Sequence, residues 1–560
     1  MSSLLLAVIA LIALAAGYFL YSPRVARWIE VDDNETTPAV EMNDGVDYVP
    51  AHHWTVLFGH HFASIAGAAP IIGPVIACLF WGWLPAVIWI VLGGILFGAV
   101  HDFAALTLSA KNQGRSVANL AENVLGKGSR IIFSIFVFLA LILVVAVFAA
   151  VAGLTLETTP EVVIPTFGLV LVALLTGFSL YHLKWPLWLC SLLGLVLLFF
   201  LIIAGYNFPV RLPVKDPSKW WTAILLIYGL IASVTPVTLL LQPRDHLAAS
   251  VLFVGMVIGF LGLALTNPEI NAPPVVNLSG GKGWLWPMMF VTIACGALSG
   301  FHSLVASGTT SKQLPRMRDS RVIGYGGMLT ESALSVLAVI AVTAGLYWKA
   351  APAGAAGAVY QDVFAEGGWI NAFGTGYDNI TRGLLEPAAA WTGIGTLGML
   401  IGITMLKTFV MTTLDSATRI TRYISVELFG EAMGLKFMKN KYAATALVGI
   451  LAAPLALGKW KAIWPVFGAA NQLIASVVLI VVSIYLLDRK RKYLFAAVPA
   501  LLVLVTTMGA LVYNIHTFLN APGGPNWLLA ATSCALMILG LLIFANGIAR
   551  AIRTVKQQNS

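Results

Sequence analysis

Six titratable side chains fall well inside apolar runs of this sequence: His60 and His61, His101 and Asp102, Glu331, and Lys407. A charge held at the centre of a membrane helix costs roughly 2.5–3.5 kcal/mol on insertion scales, so such groups persist where they have a partner or a task. Asp102 and Glu331 are types that can carry a proton. Lys407 is the only base read at mid-span, and an acid is expected to neutralise it. Two arrangements fit these types: a proton relay or substrate-carboxylate site built from His61, His101, Asp102, Glu331 and Lys407, or a structural Lys–acid lock between helices. Neutral imidazoles can satisfy backbone groups, and titration near neutral pH could gate a proton path. The residues of each pair His52–His53 and His60–His61 point in different directions, and no Cys or carboxylate is grouped with them, which disfavours a metal centre.

The stretch His60–Ala77 explains how such groups could be reached. It carries Gly67, Pro70, Gly73 and Pro74 within eight residues. Proline removes a backbone donor and glycine adds backbone freedom. A spanning helix interrupted this way needs protein or a polar cavity to satisfy its backbone. Free N–H groups and the positive end of the dipole at such a break attract an anion, and free carbonyls at the other half-helix suit an ammonium group or Na⁺. The expected substrate-binding set is Ala66, Gly67, Ala68, Ala69, Pro70 and Gly73, with Phe62 beside them. The same small residues would also permit tight helix packing.

The chain has 560 residues, is 59% hydrophobic and 10% charged, and has a mean hydropathy of +0.88. Apolar runs of about 20 residues recur along it, the length that crosses the hydrocarbon. This is an all-α polytopic membrane protein. Fifteen spans are expected, the first at 4–21 as a retained helix, followed by 54–81, 83–110, 130–153, 162–182, 185–206, 219–241, 246–266, 285–308, 322–347, 390–413, 442–457, 461–487, 493–515 and 527–549. Strict alternation from an outside amino terminus places the loops 111–130, 309–321, 414–441 and 488–492 and the carboxyl tail in the cytoplasm. They hold 20 of the 33 Lys and Arg residues, a clear inside excess. Arg211, Lys215, Lys219, Lys459 and Lys461 are exceptions. The net charge of +9 therefore belongs to loops at a lipid bilayer and not to a nucleic-acid surface. Cys78, Cys190, Cys295 and Cys534 are dispersed in apolar segments and have neither disulfide nor metal spacing.

Shifting the sequence by 166 residues sets FASIAGAAP (62–70) against YGLIASVTP (228–236). Both stretches hold a breaker, and the two spans are five apart, so they cross in opposite directions. The arithmetic is that of an inverted repeat: 1–53 as a helix plus an acidic cytoplasmic linker, 54–206 and 219–413 as the two repeats, 414–441 as an amphipathic basic segment on the inner surface, and 442–560 as about four accessory helices. Tyr228, Ser233 and Thr235 join the binding set on this reading. Asn471 and Gln472 are read as residues that cap or cross-link helices.

This 5+5 arrangement resembles the LeuT-type fold. FGHHFASIAGAAPIIGPVIA (58–77), His101-Asp102, GFHSLVASGTTSKQL (300–314), GGML-x-ES (326–332), TTLDSATR (412–419) and WPVFGAANQ (464–472) resemble, in family order, the carbon starvation protein A family. The resemblance implies uptake of peptides or of pyruvate across a bacterial inner membrane. Peptide uptake driven by protons is the preferred expectation, and a pyruvate/H⁺ symporter the alternative. LeuT-like proteins place hydroxyl ligands for Na⁺ on the eighth core helix, which points to Ser307 and Thr310 as Na⁺ ligands. No cofactor is expected. A channel would want a pore-lining polar stripe, and an enzyme a catalytic cluster. Neither is visible, nor is a nucleotide-binding loop for ATP-driven transport.

Overall fold

The computed structural model describes residues 1–280, 282–349, 358–458, 460–521 and 524–559; Lys459 lies outside them. The chain is helical almost throughout, and the one sheet among the described residues is a short hairpin pairing Ser279–Gly280 with Gly283–Trp284. Among the described residues, twelve helices are long and apolar enough to cross a membrane. Burial sorts them into an inner and an outer set. The most apolar windows of Arg321–Ala344 and Val466–Asp488 are each 94% buried, whereas that of Leu187–Asn207 is 22% buried. An apolar helix with so much exposed surface belongs against lipid.

Inside, Lys127–Thr158 packs on both Pro217–Val234 and Leu397–Ser425. The first interrupted helix is Trp54–Ala66 followed by Ala69–Phe80. Gly67 turns the chain there at φ 44°, ψ −154°, a conformation that needs glycine. The lower half lies against Gln242–Thr266 and the upper half against Gly327–Ala344. The break therefore falls where the sequence places it.

Its partner does not. Thr235 and Pro236 are a turn between two helices, Pro217–Val234 and Val237–Thr266, and no break within a span. The second interrupted helix is 285–313. It runs through Leu285–Met289 and Phe290–Thr292, unwinds over 293–299, and resumes at Gly300–Val305 into Ala306–Thr310. Gly73 brings the two interrupted helices together: a Cβ there would stand 2.5 Å from the Thr292 carbonyl oxygen.

Two further readings change. The span expected at 390–413 continues to Ser425, with Thr412, Asp415, Arg419 and Arg422 buried along it. Residues 414–425 are thus part of a core helix and not a surface segment, because their charges find buried partners. Residues 360–392, expected as an outside loop with the start of a span, form the helix Tyr360–Thr392, kinked at Gly368.

Candidate functional site

The unwound stretch 293–299 leaves backbone ends that neither lipid nor its own helix can satisfy. A distant helix satisfies them. Asn471 Oδ1 accepts from the Phe301 N–H at 2.7 Å, its Nδ2 donates to Ser299 Oγ at 2.9 Å, and Gln472 Nε2 donates to the Phe290 carbonyl at 2.7 Å. One side chain caps each half-helix, which gives the WPVFGAANQ stretch its task. At the first break, Thr413 Oγ1 donates to the Ser64 carbonyl at 3.1 Å and Ser335 Oγ to the Pro70 carbonyl at 2.9 Å. Ser64 and Ser416 hydroxyls meet at 2.8 Å.

Beside the breaks lies a buried polar cluster. Asp102 accepts at one oxygen from His101 Nδ1 (2.8 Å) and faces His302 Nδ1 with the other (2.9 Å). His302 Nε2 stands 3.3 Å from Glu331 Oε2. All of these side chains are fully buried, and among the described residues both Glu331 oxygens, His302 Nε2, His101 Nε2 and His61 Nε2 lack a hydrogen-bond partner. A buried polar atom without a partner is costly, and its persistence points to a ligand, a proton or water in the working protein. His61 reaches the cluster from the first interrupted helix, its ring against Gly327 and its Nδ1 3.0 Å from Thr310 Oγ1.

A second cluster sits one layer toward the end that carries the basic loops. Arg244, fully buried, pairs with both Asp245 and Asp415 and donates to Tyr228 Oη at 2.7 Å. His60 Nδ1 lies 2.6 Å from Asp245 Oδ2, and its Nε2 lies 3.0 Å from Thr309 Oγ1. A third layer closes the surface: Asp47 holds Arg419 at 2.8 Å and Arg422 at 3.1 Å. Burial pushes the Asp47 carboxyl up, but the Arg422 and Arg419 guanidiniums outweigh it and leave it below the usual carboxylate value. The neighbouring linker pairs its Val49 and Ala51 N–H groups with the Lys312 and Gln313 carbonyls.

The structure thus brings His61, His101, Asp102 and Glu331 together near Ala66, Gly67, Ala68, Ala69, Pro70 and Gly73. Lys407 does not join them. It is buried and donates to the Ala152 carbonyl, with no carboxylate in ion-pair reach among the described residues, so the expected acid partner is absent. Because its helix runs on to Ser425, Lys407 also lies far from that helix's carboxyl-terminal end. Phe62 packs on Phe58 and Phe253. Tyr228 belongs to the Arg244 cluster, and Ser233 and Thr235 bond back to the Leu230 and Ile231 carbonyls. The Ser307 and Thr310 hydroxyls are also engaged, Ser307 donating to the Ser303 carbonyl and accepting from Val117 N–H. The hydroxyls that face the first break are those of Thr413 and Ser416 instead. His302, Arg244, Asp245 and Asp415 were not read from the sequence.

Paired broken helices that meet at buried carboxylates, inside a bundle of apolar spans, define a multi-pass membrane transporter. The chain belongs to the carbon starvation protein CstA family, whose family model matches residues 2–510. It is 32% identical over 576 residues to the pyruvate/proton symporter BtsT of Escherichia coli (strain K12), covering 88% of this chain and 79% of that one. It is also 32% identical over 555 residues to the peptide transporter CstA of the same strain, covering 88% of this chain and 78% of that one. In fold it is similar to the crystal structure of the Eremococcus coleocola manganese transporter in complex with an aromatic bis-isothiourea substituted compound. That match has a TM-score of 0.51 at 11% identity and covers 92% of this chain and 99% of that one.

Proposed function

We propose that this protein is a secondary active transporter of a bacterial inner membrane that imports peptides together with protons. The observation that carries the reading is the pair of unpartnered or shared carboxylates, Glu331 and Asp102, buried where the two interrupted helices meet. An acid-rich site whose nearest buried bases are elsewhere or already paired suits a ligand that brings an ammonium group. The Ala69 N–H, at the start of the second half-helix, would take its carboxylate. The architecture we propose is a five-plus-five inverted repeat whose breaks are 67–68 and 293–299, with two further crossings inserted between the broken helices. Adding Pro217–Val234, the interrupted 285–313 and Lys441–Leu457 to the twelve long helices gives fifteen crossings. The shift of 228 residues that relates these breaks aligns Ile65, Ala66 and Ala69 with Ile293, Ala294 and Ala297.

A pyruvate/proton symporter is the second reading, favoured by a relative of that name at the same identity as the peptide carrier. Uptake in proteoliposomes separates the two. Labelled dialanine should be taken up saturably, show exchange stimulation, be competed by dipeptides and not by pyruvate, and persist when choline replaces Na⁺. Saturable pyruvate uptake that dipeptides leave untouched would establish the second reading. Linear, non-exchanging flux of either solute would contradict a carrier.

A further inference from the structure

The two carboxylates stand on different helices, Asp102 on Ala99–Lys111 and Glu331 on Gly327–Ala344. No hydrogen bond between them is present among the described residues. Among the described residues, one side chain stands within ion-pair distance of both. His302 opens the second half of the interrupted helix 285–313, presenting Nδ1 to Asp102 Oδ2 at 2.9 Å and Nε2 to Glu331 Oε2 at 3.3 Å. It sits there because the chain has just unwound: Ser299 starts the new turn, and the Asn471 bond to the Phe301 N–H fixes the turn's direction.

We propose that His302 is the proton-transfer residue of this transporter, joining Glu331 and Asp102 into a single exchange unit. The proposal rests on the proton-coupled reading above and adds the step within it. The exchange is balanced. With Glu331 protonated, Asp102 ionised and His302 neutral with its proton on Nδ1, Glu331 gives its proton to Nε2 while Nδ1 gives its proton to Asp102. Glu331 is left ionised and free to pair with a substrate ammonium, Asp102 is left neutral, and the imidazole is left as its other tautomer, which is reset when it loses the proton at Nε2 and gains one at Nδ1. Because His302 is carried by the half-helix that begins at the break, any movement of that half-helix makes or interrupts the connection. Proton transfer is then tied to the conformational cycle instead of running as a leak.

The groups that face His302 fit this role. His101 holds the second Asp102 oxygen from the same helix, so Asp102 keeps one acceptor for His302. His61 approaches from the first interrupted helix with its Nε2 free. Cys295, on the unwound stretch, bonds Asn471 and Ser299. No Lys or Arg forms an ion pair with Asp102 or Glu331 among the described residues, so the histidines are the bases that the carboxylates meet.

The test compares two transport modes of the full-length protein in proteoliposomes, using labelled dialanine and labelled pyruvate as probes. In His302→Gln, accumulation driven by an inward pH gradient is expected to fall at least tenfold. Exchange of labelled for unlabelled substrate at equal pH should fall less than threefold. A structural role would lower both together, so a parallel loss overturns the proposal, as does gradient-driven accumulation that survives. His302→Asn, which keeps a donor near the Asp102 side only, should show the same split, and equal accumulation to wild type there also overturns the proposal. Absence of any pH-gradient effect in the wild-type protein is a separate outcome: it removes the proton-coupled reading, and this step with it.

Discussion

Arg244→Met is expected to give a protein that has lost transport and most of its thermal stability. Arg244 is fully buried and paired with Asp245 and Asp415, with Tyr228 as a third partner. Removing one member of a buried ionic group leaves the others uncompensated, at a cost of about 3–5 kcal/mol. Here two carboxylates are left, and among the described residues His60 is the one base that remains paired with either of them. The cluster also ties four elements together: from Gln242–Thr266, Asp245 holds the first interrupted helix through His60, and Arg244 holds the Leu397–Ser425 helix through Asp415 and Pro217–Val234 through Tyr228. Loss of Arg244 should therefore loosen the layer between the buried carboxylates and the Asp47 surface layer. The comparison that isolates the charge is Arg244→Met with Asp415→Asn, which removes one of the two orphaned charges and should recover part of the melting temperature measured in detergent. An unchanged melting temperature for Arg244→Met alone would mean that the cluster is solvated and carries no such constraint.

The second large effect is expected at Gly73. A methyl group there meets the Thr292 carbonyl at 2.5 Å and the Ile293 Cα at 3.2 Å. Both are backbone atoms at the very point where the second interrupted helix unwinds, so neither can rotate away. Gly73→Ala must push the two interrupted helices apart, and overpacking of this kind costs about 1–3 kcal/mol. Transport should fall by more than tenfold, since the two breaks would no longer share one site. Gly67→Ala is the useful contrast. Its φ of 44° strains any other residue by about 1–3 kcal/mol, and its neighbours are a Phe148 ring edge and the Thr413 hydroxyl at 3.2 Å. Substrate exchange by reconstituted protein reads both variants. Wild-type exchange in Gly73→Ala would show that close contact of the breaks is dispensable.

The first break was legible because its cause is local. Two prolines and two glycines in eight residues interrupt a helix wherever it lies. The second break was not, since TIACGALSG (292–300) contains no proline and unwinds because Asn471 and Gln472 cap its ends from a helix more than 170 residues away in sequence. Those two polar residues at membrane depth were the available signal, and their capping role was legible even though the helix they cap was not. Apolar similarity then favoured 228–236, where Pro236 only ends a helix. Arg244, Asp245, Asp415 and Arg419 were missed for a related reason. QPRDH reads as a short loop between two spans, and LDSATR as the start of a cytoplasmic segment, because charged residues at span edges are normally solvated. The tertiary pairing that buries them pulls both segments into continuous helices. Lys407 erred the opposite way: a base at mid-span calls for an acid, yet its ammonium is met by a backbone carbonyl.

The most direct test of the account is proton movement accompanying substrate. Proteoliposomes holding a pH-sensitive dye should acidify inside when dialanine is added outside to the wild-type protein, and Glu331→Gln and Asp102→Asn should each abolish that acidification. Substrate-dependent acidification of wild-type size in both variants would remove the buried carboxylates from the mechanism and contradict the central claim.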